Sequence, residues 1–189
     1  MRILFLGYSS KETQIINFLK EKKNTIKQTK EKVTYNFVKN FEIIILFGYK
    51  YKISKNILNK FKKSIINLHI SYLPWNKGAD PNFWSFFDNT PKGVTIHKID
   101  KNIDTGPILY QKRINFLKSE NTFFLTYKRL IIEIENLFFK NYKKILNNKY
   151  KIKIQEPKQG TKHFSRQLPK FSEGWHADIE KTIKNLKKK

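Results

Sequence analysis

"FEIIILFGY", residues 41–49, is apolar at five consecutive central positions, so both faces of an extended chain there would meet hydrocarbon. A half-exposed antiparallel strand alternates polar and apolar residues, whereas a strand buried on both faces belongs inside a mostly parallel sheet covered by helices. The flanking segments extend this reading. "RILFLG" (2–7) and "SIINLHI" (64–70) are compact apolar runs of the same kind. Between them lies "YSSKETQIINFLKEKK", in which Ser9 and Glu12 have capping-box spacing. Ile15, Ile16 and Leu19 then form one helical face. Short runs near 25–29 and 33–38 are expected as strands, and an amphipathic helix is expected around 54–61. Further on, Asp80-Pro81 reads as an N-cap and first-turn proline opening a helix "PNFWSFFDN". "KGVTIHKI" and "PILYQKRINF" are β-rich and flank the loop "DKNIDTG". From about 122 to 147, Leu125, Leu130, Ile131, Ile134, Leu137 and Phe138 recur at helical spacing. The remainder is loop-like until a closing lysine-rich helix. Strands alternating with helices predict an α/β, three-layer, Rossmann-like domain with a mostly parallel central sheet over residues 1–150. Residues 151–189 are expected as a tail whose terminal helix packs on that domain.

Composition narrows the classes. No apolar stretch approaches the roughly 20 residues that cross a bilayer, and the N-terminus lacks the form of a signal peptide. There is no cysteine, hence no disulfide framework or thiolate metal site. A cytoplasmic, soluble protein is the expectation. The formal net charge of +24 would suit a polyanion, but arginine occurs only at Arg2, Arg113, Arg129 and Arg166. Arginine is the side chain that grips phosphates and guanines bidentately. The lysines come with abundant Asn, Ile, Phe and Tyr, a pattern that AT-rich coding produces, so nucleic acid is not the expected partner. Neither G-x-G-x-x-G after the first strand nor a G-x-x-x-x-G-K-[ST] loop is present, which argues against a dinucleotide or P-loop enzyme.

Ligands of open α/β sheets gather beyond the carboxyl ends of strands. At one such end stands "INLHISYLPWNKGADPN" (66–82), where Pro74, Gly78 and Pro81 follow one another closely in a Gly- and Pro-poor chain. Asn67 and His69 lie two apart and share a strand face. An amide donor beside an imidazole suits acyl transfer, the first stabilising an oxyanion and the second moving a proton. A carboxylate to orient the imidazole is still needed. Asp104 is the candidate and Asp100 competes with it; the plain alternative is a set of hydrogen-bonded turn residues. His97 reads as structural, His163 and His176 as surface residues, and Trp84 as core. Trp75 could stack on a substrate. No closely spaced His/carboxylate cluster suggests a metal.

"INLHISYLP", followed by "NKGADP", "GVTIHKID" and "IDTGPIL", resembles the formyltransferase family, whose hallmark is N-x-H-x-S-x-L-P and then a D-x-G loop. The resemblance runs from about residue 41 to 115. It implies a formyltransferase catalytic domain and 10-formyltetrahydrofolate as formyl donor, without a metal. By the same resemblance Asn67 bonds the formyl oxygen, His69 transfers protons, and Asp104 holds His69. The donor's pterin slot would be walled by Phe47, Gly48, Tyr49, Tyr51, Lys52 and Ile53 on one side, and by Asp100 and Ile103 on the other. The tRNA-formylating members carry an extra β-rich domain, and the purine enzyme has a Gly/Ser-rich N-terminal loop of which "GYSSKETQ" is a poor version. The expected acceptor is therefore a primary amine on a small molecule, most plausibly a nucleotide-linked amino sugar. Its diphosphate would suit lysines at the mouth, such as Lys77, and residues 155–175 would cover it. Many members are dimers, so a homodimer is an option.

Overall fold

The computed structural model describes residues 1–156 and 159–188. Strands β1 (Arg2–Gly7), β2 (Thr25–Thr29), β3 (Ile43–Phe47) and β4 (Ser64–His69) are followed by the two-residue β5 (Lys77–Gly78). Then come β6 (Gly93–Lys98), β7 (Ile108–Arg113) and the short β8 (Lys162–His163). The helices are α1 (Ile15–Glu21), α2 (Tyr35–Val38), α3 (Lys55–Lys60), α4 (Pro81–Phe87), α5 (Phe123–Leu146) and α6 (Ile179–Leu186). The main sheet runs β2-β1-β3-β4-β6-β7, parallel from β2 to β4 and antiparallel from β4 through β7. A second, small sheet pairs β5 with β8 in parallel.

Alternation along the central strands builds three layers. Ile3, Phe5, Ile43, Ile45, Phe47, Ile66 and Leu68 pack on one face against Ile15, Ile16 and Leu19 of α1 and Leu130, Ile134 and Phe138 of α5. Leu4, Leu6, Ile44 and Leu46 face the other way, onto Val38 of α2 and Ile57 of α3. Every residue of β3 is buried, as a strand walled by helices on both sides requires. A third cluster joins Phe83 and Trp84 of α4 to Phe123, Ala177 and Ile179, with Leu168, Phe171 and Ile183 against it, and so holds the tail to the body.

Four local expectations change. Residues 35–38 form a helical turn and not a strand, because the Thr34 hydroxyl caps it by accepting from the Phe37 N–H. The helix expected from Ser9 starts at Ile15: Ser9 and Glu12 do bond each other, but they close a preceding turn. Leu125 is 40% exposed, and Thr126 takes the buried position beside it. Asp80 stands at the N-cap of α4 but in left-handed conformation (φ 50°), and its carboxylate does not cap the helix.

Candidate functional site

β4 lies where the sheet changes from parallel to antiparallel, with β3 on one side and β6 on the other. The antiparallel register sets His97 opposite Asn67 and Thr95 opposite His69. The loop after β6 then returns Asp104, at φ 53°, to the same end of β4. Four side chains from three segments thus converge. Asp104 Oδ1 is 3.3 Å from Asn67 Nδ2 and 3.4 Å from His97 Nε2; its Oδ2 is 3.7 Å from His69 Nε2. The Gly78 N–H donates to Oδ2 at 2.8 Å. Asn67 Nδ2 also lies 3.3 Å from His97 Nε2.

The hydrogen bonds assign ring protons. His69 Nε2 is 3.2 Å from the Asn76 carbonyl, which can only accept, so Nε2 carries a proton and Nδ1 is the basic nitrogen of the neutral ring. By the same logic His97 Nδ1, 2.8 Å from the Lys98 carbonyl, is a donor. Burial holds His69 below its ordinary value, against the attraction of Asp104. Burial alone would raise Asp104. The neighbouring imidazoles and the Gly78 N–H outweigh it, and the carboxyl sits well below the usual range. The centre at neutral pH is a carboxylate fixed between two buried histidines.

The cluster opens into a cavity of about 680 Å³, a size typical of small-molecule sites. Phe47, Gly48, Tyr49, Tyr51, Lys52 and Ile53 line it from the end of β3, and Asp100 and Ile103 from the loop after β6. Gly48 is at φ 66°, and a Cβ there would lie 2.3 Å from the Tyr8 ring, so both the backbone and the close approach favour glycine. Asp100 accepts from the Thr105 hydroxyl and the Asn102 N–H. It shapes its loop, while Asp104 reaches the histidines. Tyr8 and Tyr127 join hydroxyls at 2.6 Å on a further wall, with Phe123, Phe124 and Trp175. Burial and the Tyr127 bond raise the Tyr8 phenol, so it stays protonated. The half-buried Asp80 carboxylate lines the cavity as well, raised by desolvation.

Several sequence expectations are displaced. Lys77 is buried, not at the mouth, and its ammonium donates to the Gln159 carbonyl. Trp175 lines the cavity, and Trp75 does not. His163 is no free surface residue: its ring stacks on Trp84 at 3.9 Å and bonds Asp88 at 2.7 Å. His97 belongs to the site and not merely to the scaffold. Its one local sequence signal was a histidine inside the β-rich run "GVTIHKI", a strand-length before Asp104. Among the described residues no group of His, Cys, Asp and Glu is arranged to hold a metal ion, and no helix is long and apolar enough to cross a membrane.

Residues 4–137 match the family model described as formyl transferase. Methionyl-tRNA formyltransferase of Thermodesulfovibrio yellowstonii is 38% identical over 106 residues, covering 53% of this chain and 34% of that protein. GDP-perosamine N-formyltransferase of Brucella melitensis is 33% identical over 99 residues, covering 51% and 38%. The chain thus matches little more than a third of the length of either curated relative. A solved structure is similar almost end to end: the formyltransferase PseJ from Anoxybacillus kamchatkensis, in complex with UDP-4,6-dideoxy-4-formamido-L-AltNAc and tetrahydrofolate. It has 39% identity and a TM-score of 0.87, and the match covers 96% of this chain and 97% of that one. With the match running through β1, the Asn67/His69 strand, the Asp104 loop and most of α5, the chain belongs to the formyl transferase family.

Proposed function

We propose that the protein transfers a formyl group from 10-formyltetrahydrofolate to the primary amine of a nucleotide-linked amino sugar. The observation that carries the chemistry is the buried Asn67/His69/His97/Asp104 centre opening into one cavity. The near-complete match to a structure holding a UDP-linked formamido sugar and tetrahydrofolate favours the acceptor class. The cavity wall formed by residues 47–53 and by Asp100 and Ile103, where Gly48 packs against the Tyr8 ring, is where the family resemblance puts the pterin ring.

The donor supplies an activated formyl carbon and a leaving nitrogen. Around it, Asn67 is the amide donor for the charge that builds on the formyl oxygen; its present contacts of 3.3 Å are longer than ordinary hydrogen bonds and easily exchanged. His69, neutral and buried, takes the proton that the attacking amine must lose and returns it to the leaving nitrogen. Asp104 stabilises the imidazolium while it lasts, and His97, whose Nδ1 donates to the Lys98 carbonyl, presents Nε2 as an acceptor to the Asn67 amide and so helps to orient it. Residues 1–150 are the catalytic unit in this reading, and residues 151–189 complete it.

The test is an acceptor screen with 10-formyltetrahydrofolate, offering UDP- and GDP-linked amino sugars, glycinamide ribonucleotide and charged initiator tRNA. Formylation of an amino-sugar nucleotide, lost in Asp104→Ala without loss of folding, is the expected result. Exclusive formylation of another acceptor would overturn the acceptor class, and absence of formyl product with every amine would overturn the reaction.

A further inference from the structure

The catalytic loop and the histidine strand belong to the segment that the family model matches, yet the groups that fix them come from beyond residue 137. Gln155 is buried, and its Nε2 donates to the carbonyls of Asp104 (3.0 Å) and Gly106 (2.7 Å). One amide thus spans both peptides of the turn in which Asp104 holds its left-handed conformation. Thr161 acts on the other partner. Its hydroxyl accepts from the Asn76 N–H at 2.8 Å and donates to Asn76 Oδ1 at 3.0 Å. Asn76 is fully buried and left-handed (φ 53°), and its carbonyl is the acceptor of His69 Nε2. Third, β8 aligns the donor to the carboxylate: the Thr161 and His163 carbonyls bind the N–H groups of Lys77 and Ala79, on either side of Gly78. The Gly78 N–H is left to Asp104, and a Cβ at Gly78 would strike the His163 carbonyl at 2.1 Å.

We propose that the tail is a positioning element of the catalytic centre, in which Gln155 sets the backbone of Asp104 and Thr161, through Asn76, sets the ring of His69. Neither residue touches the reacting atoms, and each acts through one that does. The inference rests on the proposed formyl transfer, since it assigns these residues their effect on that reaction. Among the described residues the buried Gln155 Oε1 has no hydrogen-bond partner, which a residue chosen for packing alone would avoid.

The experiment compares full-length Gln155→Met, Thr161→Val and Thr161→Ser with the wild type, using 10-formyltetrahydrofolate and the UDP-linked 4-amino-4,6-dideoxy-L-AltNAc. Methionine keeps the length of glutamine and valine the shape of threonine, while both lose the hydrogen bonds. Each should lower kcat roughly 10-fold or more, as displaced catalytic groups do, with both KM values within about 2-fold. Thr161→Ser, which keeps the hydroxyl, should restore kcat. The ring titration of His69, followed by NMR and identified by its absence in His69→Gln, gives a readout independent of turnover. Asp104 and His97 face that ring and are unchanged in these variants. Losing the grip on the Asn76 carbonyl should therefore move the titration to lower pH in Thr161→Val and leave it in place in Thr161→Ser. Folded variants with wild-type kcat, a rise in KM alone, or a His69 titration indifferent to Thr161→Val would each overturn the proposal. If the wild type formylates nothing, the reaction reading fails, and the titration still decides whether Thr161 positions His69.

Discussion

At the level of single residues, His69 carries a pH signature. Its ring is buried and its proton affinity lowered from the ordinary 6.5, so it is neutral through the neutral range. The unfolded chain binds this proton near pH 6.5 and the folded chain only below that, so stability is full above 6.5 and declines as pH falls through the lower folded value. The acidic limb of kcat should likewise lie below pH 6.5, and His69→Gln should remove that limb along with most of the activity. A limb above 6.5 would contradict a desolvated neutral imidazole. Asn67→Ala should cost on the order of 100-fold in kcat, the usual loss for one oxyanion donor. Near-full formyl transfer in that variant would sink its assignment. Asp80 gives a prediction of opposite sense. Its carboxyl is raised by desolvation and its backbone is left-handed, a conformation that asparagine tolerates well. Asp80→Asn should therefore raise Tm at pH 7, and a lower Tm would show a partner for the charge. Asn67 and His69 were legible as an amide and an imidazole two apart at the end of a buried strand, and Asp104 from its Gly-terminated loop and the family resemblance. His97 was not, because what brings it into the cluster is the antiparallel register that sets it opposite Asn67, a long-range pairing that the local sequence does not specify.

Among the elements, those defined by local chemistry read directly from the sequence. The buried strands follow from apolar runs, and α5 begins one residue after Thr122, whose hydroxyl accepts from the Leu125 N–H. The start of α1 did not, because its cap is remote. Glu135, on α5 and only 6% exposed, accepts from the Thr13 hydroxyl at 2.6 Å and the Gln14 N–H at 2.9 Å. That carboxylate does what Ser9 and Glu12 were expected to do, across more than a hundred residues. Glu135→Ala leaves the buried Thr13 hydroxyl and the partly buried Gln14 N–H without their acceptor and should cost about 2 kcal/mol. Glu12→Ala, which disturbs an exposed turn, should shift the urea midpoint far less. Equal shifts in the two variants would return the cap to the local pair. The same distinction explains residues 33–38: a β-branched and aromatic run containing a capping threonine fits either a strand or a helical turn, and only the crossover from β2 to β3 decides between them.

On the scale of the whole molecule the tail and the charge remain to be reconciled with the cavity. For residues 155–175 the sequence suggested a cover over the acceptor but not the contacts to Asp104 and Asn76, because Gln155, Thr161 and His163 make theirs through one amide, one hydroxyl and backbone carbonyls, none of which leaves a periodic trace. The charge was legible at once but not its use. The lysine expected at the mouth is buried under the tail, while Lys50 and Lys52 are exposed beside the cavity. Most of the excess charge thus acts as a diffuse field and not as a built phosphate site. A field of this kind speeds encounter with an anionic substrate and is screened within roughly 10 Å at 0.1 M salt, whereas contacts inside a desolvated site are screened much less. For a nucleotide diphosphate sugar, kcat/KM should accordingly fall several-fold as salt is raised from about 50 to 500 mM, with kcat nearly constant. RNA should bind weakly and lose that binding over the same range, equally in wild type and Asn67→Ala. A kcat/KM indifferent to salt would mean that the lysines contribute nothing to substrate capture. RNA binding that survives about 200 mM salt would mean instead a specific polyanion surface, which the scarcity and dispersion of arginine argue against.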